Sequence, residues 1–207
     1  MMGNAAAHLY IEESIPVFAC PWANPESRTL FTVPQNVLNI SPVLEGYLEN
    51  PDTIPEGLTR NGPGTLTLNS EGDIVEVVID YLKHAYDDSA FVLLSEKHDA
   101  VFFIRLYKLA LSLALKDLCV IILRNLHEPT RNIQDLVKVA LEALRCGVIE
   151  EEGFCRWFTT SLSQRHVEIL KGLESEGDSD IVNFCRVLIL ALGNMKSGTN
   201  HRRVSAP

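Results

Sequence analysis

The amino-acid sequence predicts an α+β fold, with a small three-stranded sheet set among helices and an all-α extension after it. Two observations predict it. Short runs of β-branched and aromatic residues, separated by turn residues, fall in the first third of the chain. From Asp73 onward, apolar residues recur at the i, i+3, i+4 spacing of amphipathic or buried helices.

The elements follow in order. Residues 1–13 read as a flexible lead-in. Ser14 to Cys20 carries Ile15, Val17, Phe18 and Ala19, and Pro21, Asn24 and Pro25 punctuate the turn after it. Thr29 to Val33 is a second β-rich run, so the two runs predict a hairpin with a long connection. Pro34 is expected to open a helix, because the first turn of a helix has no use for its missing N–H. Ser41-Pro42 reads as a second cap and first turn, with Val43, Leu44, Tyr47 and Leu48 on one helix face. Residues 50–64, NPDTIPEGLTRNGPG, are a loop by composition. Thr65 to Leu68 alternates as a half-buried strand does. Asp73, with Glu76 three residues on, is the expected N-cap of the next helix. Ile74, Val77, Val78, Tyr81, Leu82 and Ala85 form its apolar face, and it should end near Asp87.

A linker, 88–99, contains the apolar insert Phe91 to Leu94. Two helices are expected from Ala100. The first is apolar all round except for the stripe Arg105, Lys108, Ser112 and Lys116, which reads as a solvated face; the second runs from Leu118 to Leu126. Pro129 marks a break. Helical patterns then cover Ile133 to Arg145, Glu151 to about Leu173, and Asp180 to Met195. Gly147 and Gly172 stand where helix C-caps belong. The expected organisation is a lead-in at 1–13, a first domain at 14–128, a helical extension at 129–195 and a disordered tail at 196–207.

Three stretches resemble motifs of the BTB/POZ family. They are LFTVPQNVLNISPVLEGYL at 30–48, TLTLNSEGDIVEVVIDYLKHAY at 65–86 and RLYKLALSLALKDL at 105–118. In the family a strand with Phe runs into a helix ending in Ser-Pro, a later strand precedes a helix with an aromatic-Leu pair, and a Leu-Tyr-x-Leu-Ala centre leads the closing helices. The order strand, strand, helix, helix, strand, helix, helix pair over the first 128 residues is similar to the family's, and nearest to divergent fungal members. The sequence departs from the pattern at Pro34-Gln35, where many members have a His. Many dimeric members also exchange a long N-terminal helix or strand, and the thirteen or so residues here, with Gly3 and three alanines, are weak for that role. The resemblance implies a non-enzymatic protein–protein interaction module acting as an adaptor or scaffold. A cullin-type ubiquitin ligase is the first expected partner. The alternative it implies is a structural oligomerisation subunit of a nuclear chromatin or transcription complex, as a homo- or hetero-oligomer.

Composition narrows the function classes. The chain has 207 residues, enough to bury a core without disulfide or metal support. Its formal net charge of -9 opposes direct binding to phosphate backbones, so no nucleic-acid partner is expected. The most apolar region, Val101 to Leu126, is interrupted by Arg105, Lys108, Lys116 and Asp117, which argues against a membrane span. No secretory signal is evident, and Cys20, Cys119, Cys146, Cys155 and Cys185 are odd in number and show no CxxC. They read as reduced thiols of an intracellular protein, in nucleus or cytoplasm. Cys146 and Cys155 with a His match no zinc spacing, so neither metal nor cofactor is expected. No HExxH, GxSxG or phosphate-cradling motif occurs, so no catalytic residues are expected; Asn61-Gly62-Pro63-Gly64 lacks the Lys-Ser/Thr and the helix a P-loop needs.

Two sets of side chains are candidates for partner binding. Phe91, Val92, Leu93 and Leu94 form an apolar insert in a polar linker, although such a run also packs back onto a core or an edge strand. Phe154, Trp157 and Phe158 cluster at helical spacing, as binding aromatics and core aromatics both do. Arg202-Arg203-Val204-Ser205 resembles a site for basophilic kinases.

Overall fold

A computed structural model describes residues 13–21, 26–50, 58–60, 65–94, 97–127, 130 and 133–164. The expected helix at 180–195, Gly172, Cys185 and the tail lie outside the described residues. The fold is α+β. It divides into two compact units, Met1–Phe91 and Val92–Pro207.

The first unit is built on a four-stranded sheet, one strand more than the sequence predicts. Its strands are β1 (Ser14–Ala19), β2 (Thr29–Pro34), β3 (Leu58–Arg60) and β4 (Leu66–Leu68). They lie in the order β2-β1-β4-β3. The β1–β2 and β3–β4 pairs are antiparallel and β1–β4 is parallel. A parallel pair needs a crossover. Here the chain from β2 to β3, with α1 (Gln35–Leu38) and α2 (Pro42–Glu49), supplies it.

Side chains alternate across a strand. Ile15, Val17 and Ala19 of β1, Val33 of β2 and Leu66 and Leu68 of β4 therefore share one face, and all six are buried. The opposite face carries Pro16, Phe18, Leu30 and Thr32, which are half-buried or exposed. The helices supply the rest of this core through Val37, Leu38, Leu44 and Tyr47, and through Ile74, Val75, Val78, Ile79 and Leu82 of α3 (Gly72–Tyr86).

Local capping chemistry agrees with the sequence at α2. The Ser41 hydroxyl accepts the Leu44 N–H at 3.3 Å, and Pro42 follows in the first turn. It differs at α3, which starts one residue before Asp73, with Glu71 at the N-cap and no side-chain cap. Asp73 Oδ1 instead accepts the N–H of Ile74 at 2.9 Å. A Cβ at Gly72 would stand 2.6 Å from Thr29 Oγ1, so a side chain at position 72 would push the exposed Thr29 hydroxyl of β2 aside. Pro34 is also read differently. It is the last residue of β2, extended at ψ 139°, and α1 begins after it.

The second unit is a helical assembly of α4 (Ala100–Ser112), α5 (Lys116–Asn125), α6 (Ile133–Cys146) and α7 (Glu152–Gln164). Asp99 caps α4, its Oδ1 accepting the Phe102 N–H at 2.8 Å. Ala100, Phe102, Phe103, Ile104, Leu106, Tyr107, Leu109 and Ala110 are all buried, which is the predicted near-total burial of this helix. Helix α4 packs against both α5 and α6, and α5 against α7. The helices after Pro129 thus pack with α4 and α5 in one unit. The two compact units divide at Phe91/Val92.

Helices α3, α4 and α6 end alike. Asp88, Ala114 and Gly147 take left-handed φ values of 51°, 55° and 72°. The next residue in each case returns its N–H to the carbonyl five positions back, Ser89 to His84, Leu115 to Ala110 and Val148 to Ala143, at 2.9–3.0 Å.

Candidate functional site

The insert 91–94 forms no strand. Phe91 belongs to the first unit, where its ring stands edge-on to Tyr81 and His84, at centroid distances of 5.4 and 5.7 Å. In the second unit Leu93 is buried, while Val92 is 71% and Leu94 50% exposed. The four residues therefore divide. Phe91 and Leu93 anchor the segment, and Val92 and Leu94 are presented to solvent. Apolar side chains held outward on a segment pinned at alternate positions are suited to contact a partner.

The second candidate set is placed differently. Phe154 and Phe158 are fully buried and Trp157 nearly so. Phe154 stacks on Phe158 at 5.7 Å and lies 6.4 Å from the Tyr107 ring, and Trp157 lies 5.7 Å from His127. The i, i+3, i+4 spacing that nominated them is the packing face of α7, so Phe154 and Phe158 are not displayed to a partner. Among the described residues, Trp157 Nε1 and Ser161 Oγ are buried polar atoms without a hydrogen-bond partner.

Two glutamates that sequence reasoning passed over hold the last helices to α4. Arg105 Nε donates to Glu142 Oε1 at 2.8 Å, which takes Arg105 out of the solvated stripe and makes it an α4–α6 tie. Arg145 adds a second, exposed contact to Glu142 at 3.3 Å. Lys108 remains exposed on α4, as expected for a solvated face, whereas Lys116, also exposed, is the first residue of α5 and so is not part of that stripe. The Tyr107 hydroxyl donates to Glu151 Oε2, and the same oxygen accepts the Phe154 N–H at 2.9 Å, capping α7. Burial, then the Glu151 carboxylate, pushes the Tyr107 hydroxyl well above the ordinary phenol range. It therefore stays a proton donor. Gly153 keeps this contact open, since a Cβ would stand 3.0 Å from Glu151 Oε2 and 3.1 Å from the Tyr107 hydroxyl.

Cys119 and Cys146 are poor nucleophiles. Burial, followed by Glu151, pushes Cys119 up to about 12; burial, followed by Glu142, pushes Cys146 up to about 11. Cys155 donates to the Ile149 carbonyl at 2.8 Å. Among the described residues no group of three or more His, Cys, Asp or Glu side chains is arranged to hold a metal, and Cys146 and Cys155 each have their own partner. Among the described residues, too, no helix is long and apolar enough to cross a membrane.

No family model matches the chain, and no curated protein or solved structure matches it either.

Proposed function

We propose that the chain is a non-enzymatic interaction module of the BTB/POZ type that works as an adaptor, with a cullin-type scaffold as the first partner to test. The observation that carries this reading is the element order. Strand, strand, helix, helix, strand, helix and a helix pair follow one another through α5, as in the family whose motifs the sequence resembles. β3 is the one insertion in that order. Val92 and Leu94, exposed on a pinned segment, are the partner contact in this reading. Helices α6 and α7 widen the surface that α4 and α5 begin.

The test is purification of the tagged full chain from its own cells, with partners identified by mass spectrometry, beside the variant Val92→Asp/Leu94→Asp. A cullin recovered at near-stoichiometric level, and lost in the variant, is the expected result. Recovery of a stable nuclear assembly without a cullin would replace the adaptor reading with that of a structural subunit. Point variants serve better than truncation after Pro129, which would strip α6 from α4 and expose the core of the second unit.

A further inference from the structure

The register of the sheet shows which backbone groups of β2 are in use. Gln35 donates its N–H to the Glu13 carbonyl at 2.9 Å, extending the ladder that pairs Ser14 with Pro34 and Ala19 with Thr29. In an antiparallel ladder the N–H and C=O of one residue point to the same side, and the side alternates along the strand. Val33, Phe31 and Thr29 therefore turn theirs toward β1, as Gln35 does. Cys20, which donates to the Leu68 carbonyl at 3.0 Å, belongs to the alternate set of β1 that faces β4. By the same alternation Leu30 and Thr32 turn both N–H and C=O away from β1, on the side where, among the described residues, the sheet ends at β2. Thr29, Leu30 and Thr32 are exposed, Leu30 at 55%.

Natural edge strands are guarded by lysines, prolines, bulges or a covering element. Thr29–Val33 has no charge and no proline, and its ladder to β1 runs without a bulge. Only Pro34 closes the stretch, at its end.

We propose that β2 is a self-association edge, at which two copies of the chain pair antiparallel about a two-fold axis through Leu30. Leu30 then faces Leu30 of the second copy, and Arg28 faces Thr32, so every outward backbone group meets another outward group. A two-fold contact requires a self-complementary patch, and this stretch has one. A register centred on Thr32 would set Leu30 against Pro34, which has no N–H to give. Charge also permits the pairing despite the net charge of -9, because Arg28 is the one charged residue of 28–32. The two copies of Arg28 would lie about 14 Å apart, four residues of strand rise, which exceeds a screening length of about 8 Å at physiological salt. Arg28 is already engaged, its guanidinium 3.6 Å from the centre of the Phe18 ring. This inference rests on the sheet alone and is independent of the adaptor reading.

The test is sedimentation equilibrium and light scattering of the full chain across the micromolar range, with Leu30→Lys and Thr32→Pro beside it. A concentration-dependent dimer is expected. Thr32→Pro should weaken it by roughly tenfold or more, the loss when a symmetric contact gives up two backbone hydrogen bonds, and Leu30→Lys should weaken it comparably by setting two like charges opposite each other at the axis. Circular dichroism and the urea midpoint should hold for Leu30→Lys, whose side chain is exposed. Thr32→Pro removes only an N–H that β1 does not use, as edge prolines do. If Thr32→Pro fails to fold, Leu30→Lys decides alone. A wild-type chain that stays monomeric over this range would overturn the proposal, including one whose edge accepts an extended peptide instead. So would a dimer indifferent to Leu30→Lys.

Discussion

The two units of this chain solve the problem of burial in different ways. The first buries an apolar sheet face under helices, and Ser41 spends its hydroxyl on a helix end. The second runs charge into its interior, where Glu142 is 7% exposed and is held by Arg105. The first unit should therefore lose stability mainly through cavities and caps. The second should also lose it when a carboxylate is left without its partner.

The largest effect sharpens the part the two share. Phe158→Ala should cost about 3–5 kcal/mol in urea unfolding, as truncation of a fully buried aromatic does. A loss under about 1 kcal/mol would mean that α7 is not core but a displayed face. Arg105→Met should cost about 2 kcal/mol, because Glu142 would stay buried with only the exposed Arg145 as a charged partner. Converting Glu142 to Leu in the same chain should recover much of that loss, since an apolar pair replaces a buried charge. Failure of the second change to recover stability would show that the tie matters for its geometry and not for its charge.

Alkaline pH should separate the units, since the shifted thiols and Tyr107 all lie in the second. A folded-state value raised above the ordinary thiol value of 9.0 gives stability that is present below that value and lost as pH rises toward the folded value, about 11 for Cys146 and 12 for Cys119. One unit above the ordinary value, Cys119 should account for a loss of about 1 kcal/mol. Half-buried Cys146 should account for less. Cys119→Ala should flatten the fall in the urea midpoint over that window, and an unchanged slope would exclude Cys119 as its source. In the first unit, Ser41→Ala should cost about 1 kcal/mol through the lost cap. Arg145→Ala, at an exposed ion pair, should cost under about 0.5 kcal/mol by the same measurement.

What the sequence revealed follows from how local each signal is. The starts of α2 and α4 and the end of α3 are written in spacing and caps, and the structure follows them to within a residue, whereas α3 is capped two residues ahead of Asp73 and α4 ends at Ser112, short of Lys116. β3 was hidden because Leu58–Arg60 is three residues inside a Pro- and Gly-rich stretch, too short for any period and formed only by pairing with β4. Glu142 and Glu151 look like surface residues in sequence; their roles appear only when α6 and α7 meet α4. The aromatic triplet shows the limit most clearly, since helical spacing marks a buried face whether the neighbour is the same chain or another. Of the insert, sequence pattern located all four residues, but only tertiary packing distinguished exposed Val92 and Leu94 from buried Leu93.

The three left-handed helix ends have a consequence for how the chain can vary. Glycine takes that conformation freely, and Gly147 uses it so. At Ala114 the same turn costs about 1 kcal/mol, a strain present in the folded chain and absent from the unfolded one. The reversal between α4 and α5 is thus a site where the protein sits below its own optimum. Drift toward glycine or asparagine there is tolerated or improves the fold, while drift toward valine or isoleucine is selected against. Position 114 would show this asymmetric tolerance in a mutational scan, though nothing about an alanine in sequence marks it as a helix stop.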